Sequence, residues 1–154
     1  MVTAVTSTRL MALASIAAVA ALAVLSMRAG NLADPWLTPD QQAMRLYDAR
    51  DFTAAAERFE DPMWKGRAQY SAGQYEEAAG SFAQIPAAEG FFNTGNAWMR
   101  AFEYRKAIAA YELAVAEAPD WMDAQANLEL ARYTLDYIER SRDCLLYTSD
   151  AADE

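Results

Sequence analysis

Between residues 37 and 143 the apolar positions recur in one fixed order. Three segments share a skeleton: Phe52-x2-Ala55-x3-Phe59, Tyr75-x2-Ala78-x3-Phe82 and Tyr104-x2-Ala107-x3-Tyr111. A ring, a small residue and a second ring at i, i+3 and i+7 fall on one face of a helix. Alanine suits a place where two helices approach closely, and the rings on either side fill the groove between them. An ordinary amphipathic helix varies its residues at these positions. Three copies in the same order signal an internal repeat.

The prolines mark where the helices should begin. Pro35 and Pro39 stand before a first helix pair, Pro62 and Pro86 before a second and a third, and Pro119 before a closing helix. Proline is tolerated in a first helical turn and penalised in the interior. Thr38-Pro39-Asp40-Gln41 reads as a capping box, Asp61 and Asp120 as further N-caps, and Gly73-Gln74 as the turn inside the second pair. The pattern predicts pairs at 39–49 with 52–60, 62–72 with 75–84, and 88–101 with 104–117. A last helix over about 121–141 follows. Its stripe of Ala124, Leu128, Ala131, Leu135 and Ile138 is expected to cover the third pair, with Glu129, Arg132 and Glu139 facing water. The fold class this implies is all-α: an α-solenoid of about three helix pairs closed by a capping helix, spanning residues 37–143.

Upstream, Leu10 to Met27 runs for eighteen positions without a charge. That length just suffices to cross a hydrocarbon core of roughly 30 Å as a helix. Residues 1–28 are therefore expected to be an N-terminal transmembrane anchor, joined by a linker at 29–36. A cleaved signal peptide is the rival reading, but the small-x-small triplets Ala18-Val19-Ala20 and Ala21-Leu22-Ala23 lie inside the apolar run instead of after it. Arg9 and Arg28 bracket the segment and leave the positive-inside count tied. The amino terminus tips orientation toward N-inside, with the repeats outside the cytoplasm.

Composition narrows the chemistry. The chain has no histidine and a single cysteine, Cys144, so the commonest general base is missing and neither an internal disulfide nor a cysteine-based zinc site can form. A net charge of −9 argues against a nucleic-acid partner, which would require clustered Lys and Arg. No G-x-S-x-G, P-loop, HExxH or CxxC motif occurs. Glu76-Glu77 is the nearest approach to paired carboxylates, but adjacent helical residues point apart. Enzyme activity is not expected, and no cofactor or metal site is implied. The last eleven residues, Cys144 to Glu154 (CLLYTSDAADE), resemble a translated transposon-end sequencing adaptor. Residues 144–154 are accordingly set apart from the repeat domain.

The third pair is the most informative stretch. From Ala88 to Asp120 it places Phe91, Gly95, Trp98, Ala107, Tyr111, Ala114 and Pro119 in an order that resembles a tetratricopeptide repeat, with Thr94 where that motif prefers leucine. The second pair keeps Gly66, Gly73, Tyr75, Ala78 and Phe82, and the first keeps only the second-helix half. A narrower resemblance rests on Leu37-Thr-Pro-Asp-Gln-Gln42, Phe59-Glu-Asp-Pro-Met-Trp-Lys-Gly66 and Tyr70-x2-Gly73-x-Tyr75. These are similar to the membrane helix and repeat tail of bacterial Bat aerotolerance proteins, in which a von Willebrand factor A domain precedes the repeats and MoxR-type ATPases are associated. No such domain is present here, so its metal motif does not carry over.

The tetratricopeptide resemblance implies that the first helix of each pair lines a groove for partner segments. On that alignment Met63, Arg67, Tyr70 and Ser71 come from the second pair, and Phe92, Asn96, Met99 and Arg100 from the third. Aromatic and Met surface with Arg among it suits protein recognition, and arginines beside Asn96 would hold an acidic or extended segment. The function these resemblances imply is a membrane-anchored scaffold in the bacterial inner membrane, single-pass with a periplasmic repeat domain. It would assemble an envelope complex with von Willebrand factor A domain and MoxR-linked partners. The competing expectation is a structural spacer or self-associating stalk.

Overall fold

The computed structural model describes residues 36–150. The apolar run at 10–27, on which the membrane expectation rests, lies outside them. No helix among the described residues is long and apolar enough to cross a membrane.

From Pro39 onward the described residues form seven helices: α1 (Pro39–Asp48), α2 (Phe52–Arg58), α3 (Pro62–Ser71), α4 (Tyr75–Phe82), α5 (Ala88–Arg100), α6 (Tyr104–Glu117) and α7 (Met122–Asp150). Contacts are made chiefly between successive helices, α1 with α2 through to α6 with α7. Nearest-neighbour packing of this kind is what makes a solenoid quasi-one-dimensional. The boundaries follow local chemistry. The Asp61 carboxylate accepts from the Trp64 amide at 2.9 Å and Pro62 occupies the first turn, so α3 starts where expected. Asp51 does the same for α2, accepting from the Ala54 amide at 3.2 Å. Asp40 accepts from the amides of Glu60 and Asp61 at 2.7 and 3.3 Å, which ties the first turn of α1 to the α2–α3 link. At α7 the expectation shifts by a residue. The helix begins at Met122, so Trp121 and not Asp120 holds the cap position. The helix then continues past residue 141 to Asp150.

The three turns inside the pairs are built alike. Asp51, Gln74 and Glu103 donate their amides to the carbonyls of Leu46, Gln69 and Trp98, closing one six-residue ring each time. The preceding residue is left-handed in all three: Arg50 at φ 63°, Gly73 at 80° and Phe102 at 62°. Glycine is the natural occupant of that position, because a Cβ there costs on the order of 1 kcal/mol. Phe102 holds it with its ring 77% exposed, so little packing offsets the strain. Phe102→Gly is expected to stabilise the fold by about 1 kcal/mol, read as a higher urea midpoint at unchanged slope. A lower midpoint would mean that the Phe102–Tyr104 ring contact, at 6.5 Å between centroids, outweighs the strain.

The core is built from small residues against rings. Ala55, Ala78 and Ala107 are each 0% exposed, so the three alanines of the skeleton do sit where helices meet. The second ring of each skeleton is buried as well: Phe59, Phe82 and Tyr111 are 2–3% exposed. The first rings, Phe52, Tyr75 and Tyr104, are only half-buried. They lie at the helix starts beside the turns, where Phe52 packs on Tyr47 and Tyr75 on Tyr70.

A second rule links the two helices of a pair. A Cβ on Gly66 would fall 2.6 Å from the Phe82 ring, and one on Gly95 would fall 2.5 Å from the Tyr111 ring. The same sixteen-residue interval in the first pair joins Ala43, fully buried, to Phe59 in one cluster. The first pair therefore keeps the first-helix half of the contact too, with alanine in place of glycine.

On α7, Ala124, Leu128 and Ala131 are buried and Leu135 half-buried, as the stripe requires. Ile138 is 42% exposed instead. Glu129 faces water, whereas Arg132 and Glu139 pair with Glu112 and Arg105 of α6, each at 2.6 Å. These are exposed pairs that fix orientation more than they add stability.

Candidate binding surface

The odd-numbered helices touch one another through polar side chains. Tyr47 of α1 meets Ser71 of α3, Oη to Oγ, at 3.4 Å. Asn93 of α5 donates to the Met63 sulfur of α3 at 3.6 Å, and Arg67 pairs with Glu89 at 3.4 Å. Asn127 of α7 donates to Asn96 Oδ1 of α5 at 3.1 Å. One face of the stack is thus lined by α1, α3, α5 and α7 in turn, with polar groups along it.

A cavity of about 290 Å³ opens on this face between α1, α3 and α5. It is lined by Tyr47, Arg67, Tyr70, Ser71, Asn93 and Asn96, with Phe82 of α4 beneath. Asn96 is held from behind. Its Oδ1 accepts from the Tyr111 hydroxyl at 2.7 Å as well as from Asn127, so its amide hydrogens are what it can offer a ligand. Burial pushes the Tyr111 phenol above its usual range and keeps it a neutral donor. Arg67 lies over the Trp64 ring at 5.0 Å and is 43% exposed, with Glu89 as a weak surface partner. Donors therefore dominate the rim, and an aromatic ring forms the floor.

Of the residues proposed from sequence, Arg67, Tyr70 and Asn96 come together here. Met63 stands beside them, half-buried against the Ala78–Ala79 cluster and accepting from Asn93. Phe92 does not face the cavity. Its ring packs 4.5 Å from Trp121 and 5.9 Å from Tyr111. Met99 likewise packs against the cluster of Ala107 and Tyr111. Arg100 belongs to a second, shallow depression with Gly73, Tyr75, Glu76, Glu77 and Phe102. There it donates to the Tyr75 hydroxyl at 2.9 Å and lies over that ring at 5.1 Å. The two arginines thus do not flank Asn96. Arg67 follows Gly66 directly, whereas Arg100 stands four positions further from Gly95 than its counterpart would, about 6 Å along the helix.

Tyr47 and Asn93 line the cavity without having been singled out from sequence. Asn93 precedes Asn96 by three residues, a spacing that places both on one helix face. Tyr47 follows Ala43 by four residues as Tyr70 follows Gly66, but with alanine in the place of glycine α1 gives no sequence signal of that register. Among the described residues no group of three or more His, Cys, Asp or Glu side chains is placed to hold a metal ion.

The helix pair bearing Asn93 and Asn96 also carries a family resemblance. Residues 88–121 match the tetratricopeptide repeat family model. The match covers α5, α6 and the link to α7, and it supports a tetratricopeptide-repeat protein. The position of Gly95 against Tyr111 within the matched repeat recurs as Gly66 against Phe82 in the pair before it. Such a repeat suggests a protein–protein interaction module. No curated protein matches the chain.

Proposed function

We propose that the cavity on the odd-helix face receives an extended, acidic segment of a partner protein. Its donor-rich rim carries the proposal: Arg67, the Asn96 amide with its oxygen already occupied, and the hydroxyls of Tyr47, Tyr70 and Ser71. A carboxylate entering here exchanges the loose 3.4 Å contact of Arg67 with Glu89 for a charge-assisted hydrogen bond. The Phe82 ring below offers apolar contact to a side chain of the same segment. The role is that of a scaffold and not a catalyst, consistent with a chain that lacks histidine. The resemblance to the tail of Bat aerotolerance proteins supports the finer reading. In it, residues 1–28 tether the repeats to the bacterial inner membrane, the repeats lie in the periplasm, and the partners are von Willebrand factor A domain and MoxR-linked proteins.

The test is capture from detergent-solubilised membranes and titration with an acidic peptide, using the full chain. Arg67→Glu is expected to weaken peptide binding by about 10- to 100-fold, from the lost charge-assisted bond and the new repulsion. Arg100→Glu, in the other depression, is expected to change it less than about 3-fold. Equal effects of the two reversals, or capture no better than background, would count against this cavity.

A further inference from the structure

The closing helix is apolar on two opposite faces. Its inner stripe covers α6, as described. On the far side Asp123, Ala126, Leu130, Tyr133, Tyr137 and Arg140 follow one another at intervals of three and four residues, and all six are exposed. Leu130 is 54%, Tyr133 68% and Tyr137 63% exposed, an unusual load of apolar surface for an outward face. A three–four alternation is the seam of two helices packed side by side. A capping helix that faced only water would carry charge along this line.

The order of residues in the stripe indicates what covers it. The acid stands at one end and the base at the other, with the small residue near the acid and a large ring near the base. A parallel pairing would set Asp123 against Asp123 and Arg140 against Arg140. An antiparallel pairing centred between Leu130 and Tyr133 sets Asp123 against Arg140, Ala126 against Tyr137, and Leu130 against Tyr133. Each match occurs twice, as an isologous twofold contact demands. Charge meets opposite charge, and the bulk of Tyr137 meets the space above Ala126. Among the described residues Arg140 pairs with Asp136 one turn back, an exposed contact at 2.9 Å, and a guanidinium with five N–H donors can take a second carboxylate beside it.

We infer that this stripe of α7 is a self-association surface whose partner is a second copy of the chain, docked antiparallel. The seam is about 25 Å long at 1.5 Å per residue, which sets it at the small end of specific interfaces and makes the dimer concentration-dependent. The inner stripe stays packed on α6 and the cavity between α1, α3 and α5 stays open, so each dimer presents two such cavities.

The experiment uses the full chain in detergent, with Cys144→Ser as background and sedimentation equilibrium as the readout. A monomer–dimer equilibrium is expected. Tyr133→Glu is expected to raise the dissociation constant at least about 30-fold, as removal of a central anchor does. Asp123→Arg is expected to weaken the dimer, and Asp123→Arg with Arg140→Asp in the same chain to restore it within about 3-fold. Oxidative cross-linking fixes the direction. Ala126→Cys chains mixed with Tyr137→Cys chains are expected to form the mixed disulfide, and Ala126→Cys chains alone to form none. Circular dichroism of each variant establishes that the helices are intact. A chain that stays monomeric at every concentration overturns the inference, as does self-cross-linking of Ala126→Cys, which marks a parallel pairing. Association that Tyr133→Glu leaves unchanged overturns it too, because the contact then lies elsewhere in the chain.

Discussion

Gly95→Ala is expected to lower stability by about 2 kcal/mol, although alanine is the better helix former. In an exposed helix the exchange would gain roughly 1 kcal/mol. Here the new methyl lands 2.5 Å from the Tyr111 ring, well inside contact distance. Either the ring turns or α5 moves away from α6. Tyr111 has little freedom to turn, being 2% exposed and anchored through its hydroxyl to Asn96. Overpacking of this kind costs about 1–3 kcal/mol, and a pinned ring puts this site at the upper end, so about 2 kcal/mol of loss is left after the gain in propensity. Gly66→Ala is expected to behave alike against Phe82, with a milder loss because no hydrogen bond pins that ring. The reverse change, Ala43→Gly, removes a methyl that the first pair accommodates and should cost about 1 kcal/mol through propensity and lost packing. Urea midpoints for the three variants check the set. A stabilising Gly95→Ala would show that the helices separate without penalty, and the shared interval would then lose its structural meaning.

That interval shows how far the sequence could be read. The ring–alanine–ring skeleton locates α2, α4 and α6 because it depends only on helical periodicity, a local property. The partner of each second ring lies sixteen residues upstream on another helix. It was visible as glycine in two pairs and hidden in the first, where Ala43 does the same work among many other alanines. The distinction between the two rings of a skeleton was hidden for a similar reason. Periodicity puts Tyr104 and Tyr111 on one face, but only the assembled stack shows that the first ring borders a turn and the second lies in the middle of a helix–helix contact. Arg50 and Phe102 escaped notice because a left-handed turn is expected to advertise itself with glycine, and only Gly73 did so.

For the candidate surface the limit was register. Tyr70 and Met99 occupy equivalent places after Gly66 and Gly95, and alignment treats them as one position. Tyr70 lines the cavity while Met99 packs into the cluster with Ala107 and Tyr111. Phe92 is likewise covered by Trp121, which enters from the link to the closing helix. The last pair borders α7 where the second borders another pair, and a sequence motif carries no record of its neighbour. Arg67 and Asn96, which follow the two glycines directly, are the equivalent positions that both reach the cavity.

The largest loss is expected at Tyr111, where stability and the candidate site meet. Tyr111→Ala should cost about 4 kcal/mol, a large part of the 5–15 kcal/mol that holds a typical domain together. It removes the largest fully buried side chain among the described residues and opens a void against Gly95. Tyr111→Phe separates the ring from the hydroxyl. It keeps the packing and loses the 2.7 Å bond to Asn96 Oδ1, at about 1 kcal/mol. It also changes the response to alkali. Burial raises the folded-state pKa of the phenol, so the unfolded chain releases this proton first. The stabilisation is complete below the ordinary tyrosine pKa of about 10 and is lost as pH climbs above it. Urea midpoints at pH 8 and pH 10.5 should therefore fall less steeply in Tyr111→Phe than in the parent. Asn96, held then by Asn127 alone, gains freedom to turn, and the acidic peptide should bind a few-fold more weakly even at pH 8, where the fold is intact. An unchanged affinity in Tyr111→Phe, alongside a normal loss in Arg67→Glu, would restrict recognition to the arginine and leave the amide a purely structural link between α5 and α7.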